Sequence, residues 1–296
     1  MARTVGCRSA ELVDRERGAK VPLLVMYPSS APERPERIGP YAVSVAMEGP
    51  VEAGTFPLVI VSHGSGGSRF THRVLAAGLA RQGFVVVLPE HPGNNRDNNE
   101  LAGTHTLLAD RPRQVRHAID WASADEALRA HLIPGAVAVI GHSLGGYTAL
   151  AVAGGRPWAA AHETPDRQPH PVPVTPDARV KALVLLAPAT PWFMAPGALE
   201  AVRVPILILT GEKDEMAPAW HAEIVKRGVP GRTPVEHRTV PNAGHYSFLS
   251  PFPMERTSAA FPPSQDPPGF DRIRFHEGLG NEVGTFLRCA LLDVRH

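Results

Sequence analysis

The stretch Val137–Ala138–Val139–Ile140–Gly141–His142–Ser143–Leu144–Gly145–Gly146–Tyr147 constrains this chain more than any other. An apolar run rich in β-branched residues predicts a buried strand, and it stops at Gly-His-Ser-Leu-Gly. The segment that follows, Tyr147–Ala153, carries the small and apolar residues of a helix packed close to that strand. G-x-S-x-G between a strand and a helix is the pattern of a nucleophile elbow. A turn this tight strains the serine backbone, and Gly141 and Gly145 must lack side chains for strand and helix to approach. The turn lifts the Ser143 hydroxyl above the sheet edge and aims a helix N-terminus at negative charge forming there.

The flanking sequence predicts what surrounds such a turn. Phe56–Ser62, Phe84–Leu88, Ala182–Leu186 and Pro205–Thr210 are apolar throughout. That pattern marks strands of a parallel sheet covered on both faces, rather than strands with one wet face. Helical spacing over 70–82, 106–130, 218–228 and 276–292 alternates with them, as does a short helix around 197–202. The expected architecture is therefore doubly wound α/β, in one domain with insertions. Residues 5–27 read as a hairpin of edge strands, because Pro22 suits an edge better than a centre. Pro28–Gly54 reads as a surface connection, and Val235–Val240 as a last strand. The Pro-rich segments 154–180 and 251–272 read as insertions able to act as lids.

Composition narrows the function classes. The 296 residues carry a formal charge of +1 and no basic block, so neither a nucleic acid nor a membrane surface is an expected partner. No apolar run is long enough to span a bilayer, and the N-terminus carries no apolar signal core; a cytoplasmic location is expected. Cys7 and Cys289, far apart, make neither a disulfide framework nor a zinc site. Without His-Glu-x-x-His or Cys-x-x-Cys, no metal or other cofactor is expected.

A serine nucleophile needs a base, and the base needs an orienting acid. In the chain order Ser, acid, His, these stand at the ends of later strands. Strand 206–210 runs into Gly211–Glu212–Lys213–Asp214–Glu215, and strand 235–240 into Pro241–Asn242–Ala243–Gly244–His245. Asp214 holds the best position in its turn, with Glu212 and Glu215 as rivals; His245 is the base. Backbone N–H groups for an oxyanion come from Leu144, after the nucleophile, and from the loop His63–Gly64–Ser65–Gly66–Gly67. Ser65 is the choice there, with Gly66 the alternative. Gly64, Gly66, His91, His142, Trp192 and Phe193 are expected to line the substrate pocket.

Beyond these residues, the chain resembles bacterial α/β-hydrolases known as predicted dienelactone hydrolases, which are similar to plasma-type platelet-activating-factor acetylhydrolases. The matching segments are Val61–Gly67, Leu79–Val86, Glu90–Gly93, Asp110–Arg113 and Gly141–Gly146. The resemblance spans most of residues 5–250 and implies an α/β-hydrolase fold. It also implies a Ser143–Asp214–His245 triad, with the Ser65 and Leu144 N–H groups as oxyanion donors. True dienelactone hydrolases carry a cysteine nucleophile, and Ser143 stands in that place here. The expected activity is therefore hydrolysis of small-molecule carboxylic esters through an acyl-enzyme. Amide or phospholipid acyl hydrolysis is the alternative, and a catalytically silent binding scaffold the outlying one.

Overall fold

Valine, isoleucine and leucine at successive positions let a strand bury both faces, and two separate apolar cores result. In the computed structural model, which describes residues 3–292, ten strands form one sheet and helices cover both its sides. In chain order the elements begin with β1 (Thr4–Asp14), β2 (Ala19–Ser29), β3 (Arg34–Ile38), β4 (Tyr41–Met47) and β5 (Phe56–Ser62). There follow α1 (Arg73–Arg81), β6 (Val85–Pro89), α2 (His105–Ala124), β7 (Leu132–His142) and α3 (Leu144–Val152). A two-stranded ribbon, β8 (Trp158–Ala159) with β9 (His170–Pro171), precedes β10 (Val180–Leu186) and β11 (Ile206–Gly211). The chain closes with α4 (Trp220–Gly228), β12 (Val235–Val240) and α5 (Arg272–Leu292).

The strand order is β12-β11-β10-β7-β5-β6-β2-β1-β4-β3. From β12 to β6 every pairing is parallel. Alternate residues sort to opposite cores: Leu58, Ile60, Val137, Val139, Leu183 and Leu185 join α2, α3 and α4 on one face. Val59, Val61, Ala138, Ile140, Val184 and Leu186 join α1 and α5 on the other. The long β7, at the centre of the parallel half, carries Ser143 just past its C-terminal end.

Three expectations are corrected. The β1–β2 hairpin is internal, not an edge: β2 lies between β6 and β1, and β1 between β2 and β4. Pro22 is tolerated because it stands just beyond the β2–β6 ladder, which ends at Leu23 opposite Pro89; its carbonyl accepts the Glu90 N–H at 2.8 Å. Pro28–Gly54 is not a plain connection but supplies β4 and, outside it, β3, the true edge on that side. The short helix expected near 197–202 is a series of hydrogen-bonded turns, including Ala198 N–H to Ala195 O and Val202 N–H to Leu199 O. No helix among the described residues is long and apolar enough to cross a membrane.

Candidate active site

Ser143 stands at the junction of β7 and α3 with φ 53° and ψ −118°, a conformation glycine adopts freely and serine does not. Close packing imposes it. A Cβ on Gly141 would lie 2.0 Å from the Gly145 carbonyl oxygen, and one on Gly145 would lie 2.0 Å from that of Ser62. The turn is pinned by hydrogen bonds from Ser143 N–H to Leu186 O and from Gly146 and Ala189 N–H to Ser143 O. Strain of this kind persists only where the surroundings over-determine it, and it clusters at functional sites.

The ends of β11 and β12 bring Asp214 and His245 to the same place. Asp214 Oδ2 accepts the His245 Nδ1–H at 2.9 Å, while its Oδ1 accepts the backbone N–H groups of Met216 and Ala217 at 2.9 and 2.8 Å. Burial would raise the Asp214 pKa, but the bond and charge of His245 and the two N–H donors outweigh it and hold the carboxyl below its usual range. The rivals lie elsewhere: Glu212 accepts the Asn242 N–H on the surface, and Glu215 is exposed.

Ser143, His142 and His245 line one cleft with a solvent-accessible volume of about 150 Å³. Gly64, Ser65 and Gly66 form its floor. Gly64 approaches so closely that a Cβ there would lie 3.1 Å from the Ser143 Cβ. The Ser65 N–H finds no acceptor among the described residues, nor does the Leu144 N–H at the first position of α3. Burial depresses the His142 pKa well below that of free imidazole, reinforced by the neighbouring His245. His142 Nε2–H donates to the His245 carbonyl at 3.0 Å, so His142 supports the backbone that carries the His245 ring.

Three of the expected pocket residues lie outside this cleft. His91 is fully buried behind the loop, its Nε2 accepting from Ser62 Oγ and its Nδ1 donating to Gln114 Oε1. Trp192 packs edge-on to Tyr147 and donates Nε1–H to both carboxylate oxygens of Glu163, whereas Phe193 stacks on Tyr147 within the core. The reason is topological: the loop after β10 turns down over α3 instead of rising over Ser143. The insertion carrying the β8–β9 ribbon therefore packs against Trp192, not over the cleft. Trp192→Ala is expected to destabilise the fold by about 3 kcal/mol, through lost packing and a stranded Glu163 carboxylate, without altering substrate ranking. Melting temperature measured beside kcat/KM for C2 to C8 esters checks this; a reordered ranking contradicts it.

The walls of the cleft come instead from segments that carried no such signal. Tyr41 arrives on β4, Phe252, Phe261 and Pro263 from the Pro-rich stretch 251–272, and Tyr246 and Leu249 from the turn after His245. The period-two spacing of Tyr41, Val43 and Val45 was the available clue to a strand. Arg73, 3.6 Å above the Tyr41 ring, holds that ring against the cleft and also donates to Pro251 O. Arg272 and Ser247 both bind Asp266, fixing the other end of the Pro-rich stretch.

Comparison with known proteins agrees with this architecture. Residues 57–201 match the family model of the alpha/beta hydrolase fold. The chain has the α/β-hydrolase fold. A ferulic acid esterase from Streptomyces cinnamoneus superposes on this chain with a TM-score of 0.72 at 19% identity, covering 98% of this chain and 91% of that one. A bis(hydroxyethyl) terephthalate hydrolase of Streptomyces coelicolor is 29% identical over 199 residues, 66% of this chain and 52% of its own. Cutinase 2 of Thermobifida cellulosilytica is 27% identical over 204 residues, 67% of this chain and 63% of its own. The chain thus spans about half to under two thirds of the length of these curated relatives.

Proposed function

We propose that the protein is a serine hydrolase of carboxylic esters working through an acyl-enzyme. The observation that carries this reading is the strained Ser143 sharing a cleft with His245, whose Nδ1 is hydrogen-bonded to buried Asp214. In this reading Ser143 Oγ attacks the ester carbonyl as its proton passes to His245 Nε2. The Ser65 and Leu144 N–H groups receive the oxyanion. His245 then returns the proton to the departing alkoxide, and a water molecule, activated by the same imidazole, releases the acid. The aromatic walls, Tyr41, Tyr246, Phe252 and Phe261, favour esters with an aromatic acyl or alcohol part. Relatives named for bis(hydroxyethyl) terephthalate and ferulic acid support the same choice, as Ser143 supports ester over dienelactone chemistry.

The test is turnover of p-nitrophenyl esters from C2 to C8 beside bis(hydroxyethyl) terephthalate and alkyl ferulates, with fluorophosphonate labelling followed by peptide mass spectrometry. Labelling at Ser143 and turnover of both the p-nitrophenyl esters and the aromatic acyl esters are expected; an unlabelled Ser143 with no ester turnover overturns the proposal. Asp214→Asn makes the role of the acid specific. The two backbone donors at Oδ1 keep the amide oxygen on their side and turn the NH₂ toward His245. The imidazole must then carry its proton on Nε2, where it can no longer act as base. A fall in kcat of about 10⁴-fold with little change in KM is expected. A variant within tenfold of the wild-type kcat would assign the acid elsewhere.

A further inference from the structure

Arg111, in α2, is fully buried, yet no carboxylate among the described residues lies within ion-pair distance. A lone buried cation is costly, so its hydrogen bonds must account for its retention. All four go to neutral oxygens around the nucleophile. Nε–H donates to Thr148 Oγ1 at 3.0 Å, one Nη to Asn94 Oδ1 at 2.7 Å, and the other Nη to Ser62 Oγ at 3.2 Å and to the His63 carbonyl.

Three of these partners, Thr148, Asn94 and His63, lead to one of the two proposed oxyanion donors. Thr148 Oγ1–H donates in turn to Leu144 O at 3.0 Å, fixing the first turn of α3. Asn94 Nδ2–H donates to Ser65 Oγ at 2.8 Å. His63, whose carbonyl Arg111 holds, donates Nδ1–H to Gly64 O at 2.7 Å, and the Gly67 N–H reaches the same oxygen at 3.1 Å. A trans peptide points its N–H opposite to its carbonyl. With Gly64 O gripped on the protein side, the Ser65 N–H is turned away from the scaffold and stays free of any intramolecular acceptor.

The network closes only if its histidines are neutral. His91 N–H donates to His63 Nε2, and Ser62 Oγ–H to His91 Nε2, so both nitrogens must keep their lone pairs. Burial and, second, the Arg111 charge lower the pKa of both rings, that of His63 to about 3. We propose that Arg111 is the positioning residue of the oxyanion hole, joining the loop that presents the Ser65 N–H to the helix that presents the Leu144 N–H. No neutral side chain donates in these four directions at once, which is why a guanidinium occupies the place.

The inference rests on the esterase reading, and the test separates the two. Arg111→Met, Arg111→Lys, Asn94→Ala and Thr148→Val are compared for kcat, KM, melting temperature and two inhibition constants. One inhibitor is a trifluoromethyl ketone, whose serine adduct carries an oxyanion; the other is an unreactive alcohol that competes for the cleft. Loss of one oxyanion donor costs about 10²–10³-fold in kcat, and Arg111→Met is expected to fall in that range with KM within about threefold of wild type. Asn94→Ala and Thr148→Val should each cost roughly tenfold, because each cuts one arm, and Arg111→Lys should recover part of the methionine loss. Ketone binding should weaken by the same factor as kcat/KM, while alcohol binding is unchanged. If Arg111→Met does not fold, the single-arm variants carry the test. Folded single-arm variants with wild-type kcat and ketone affinity overturn the inference, as does equal weakening of both inhibitors. A wild-type protein that hydrolyses no ester and resists labelling at Ser143 overturns the esterase reading instead.

Discussion

Ser143→Ala is expected to lower kcat/KM by about 10⁶-fold with the fold intact, and Ser143→Gly to do the same while raising the melting temperature. The loss follows from removing the attacking oxygen; what activity remains comes from substrate binding and the N–H donors of Ser65 and Leu144. The two variants differ in the backbone. At φ 53° and ψ −118° a Cβ is crowded, and holding a non-glycine residue there costs about 1–3 kcal/mol. Alanine retains that cost and glycine removes it, less about 0.5–1 kcal/mol for the freedom glycine has in the unfolded chain. The net gain is on the order of 1 kcal/mol, a rise of about 2 °C for a chain of this size. Activity assays and scanning calorimetry on the same preparations check both halves. Turnover above one per cent of wild type in either variant, with contamination excluded, removes Ser143 as nucleophile. A glycine variant that melts no higher than alanine shows that the turn stores no strain.

The parallel half of the sheet, its edge strand β12 apart, was legible because its strands are buried on both faces and so read as unbroken apolar runs. Asp214 was legible for a related reason: it follows such a strand at the sheet's carboxyl edge, where Ser143 also stands; His245 follows the polar edge strand β12, and the chain order of acid and base singled it out. The antiparallel end of the sheet was harder. In β4, Ala42 and Ser44 face solvent while Tyr41 and Val45 are buried, and prolines and glycines at both ends drown that alternation. Pro22 misled by itself, since where a strand's neighbour ends is a property of the pairing and not of the strand.

Pocket walls were the least legible part. Trp192 and Phe193 follow a strand on the correct side of the sheet, and only the path of the backbone after Pro188 decides that they pack on Tyr147. Phe252 and Phe261 sit in a segment without periodicity, and their place depends on two anchors, Arg73, far off in sequence, and Arg272, at the segment's own end. His91 shows the converse error. A histidine at a strand end can be a binding group or the keystone of a buried network, and the distinction lies in Gln114, Ser62 and Arg111 around it.

The same buried histidines carry the last prediction: stability should fall steeply as pH drops from about 6.5 toward 4. Burial is the main cause that lowers the pKa of His63 and His72 to about 3 and of His276 to about 4, and it takes His91 and His142 well below that of free imidazole. In the unfolded chain each returns to about 6.5. Between the two values the unfolded state binds protons that the folded state refuses. The contribution is therefore fully present above pH 6.5 and lost as pH falls toward the folded values, by up to about 1.4 kcal/mol per pH unit for each histidine. The depressed carboxyls, Asp14, Asp177 and Asp214, act in the same direction, but only below their unfolded values near pH 4. Urea unfolding from pH 8 to 4.5 thus isolates the histidines. His72 offers the cleanest single substitution, because neither of its ring nitrogens makes a hydrogen bond of normal geometry among the described residues. His72→Phe should reduce the slope of stability against pH by about one proton and leave the variant relatively more stable in acid. Stability that is level from pH 7 to 5, or a slope unchanged in His72→Phe, would mean that these imidazoles are protonated in the folded protein.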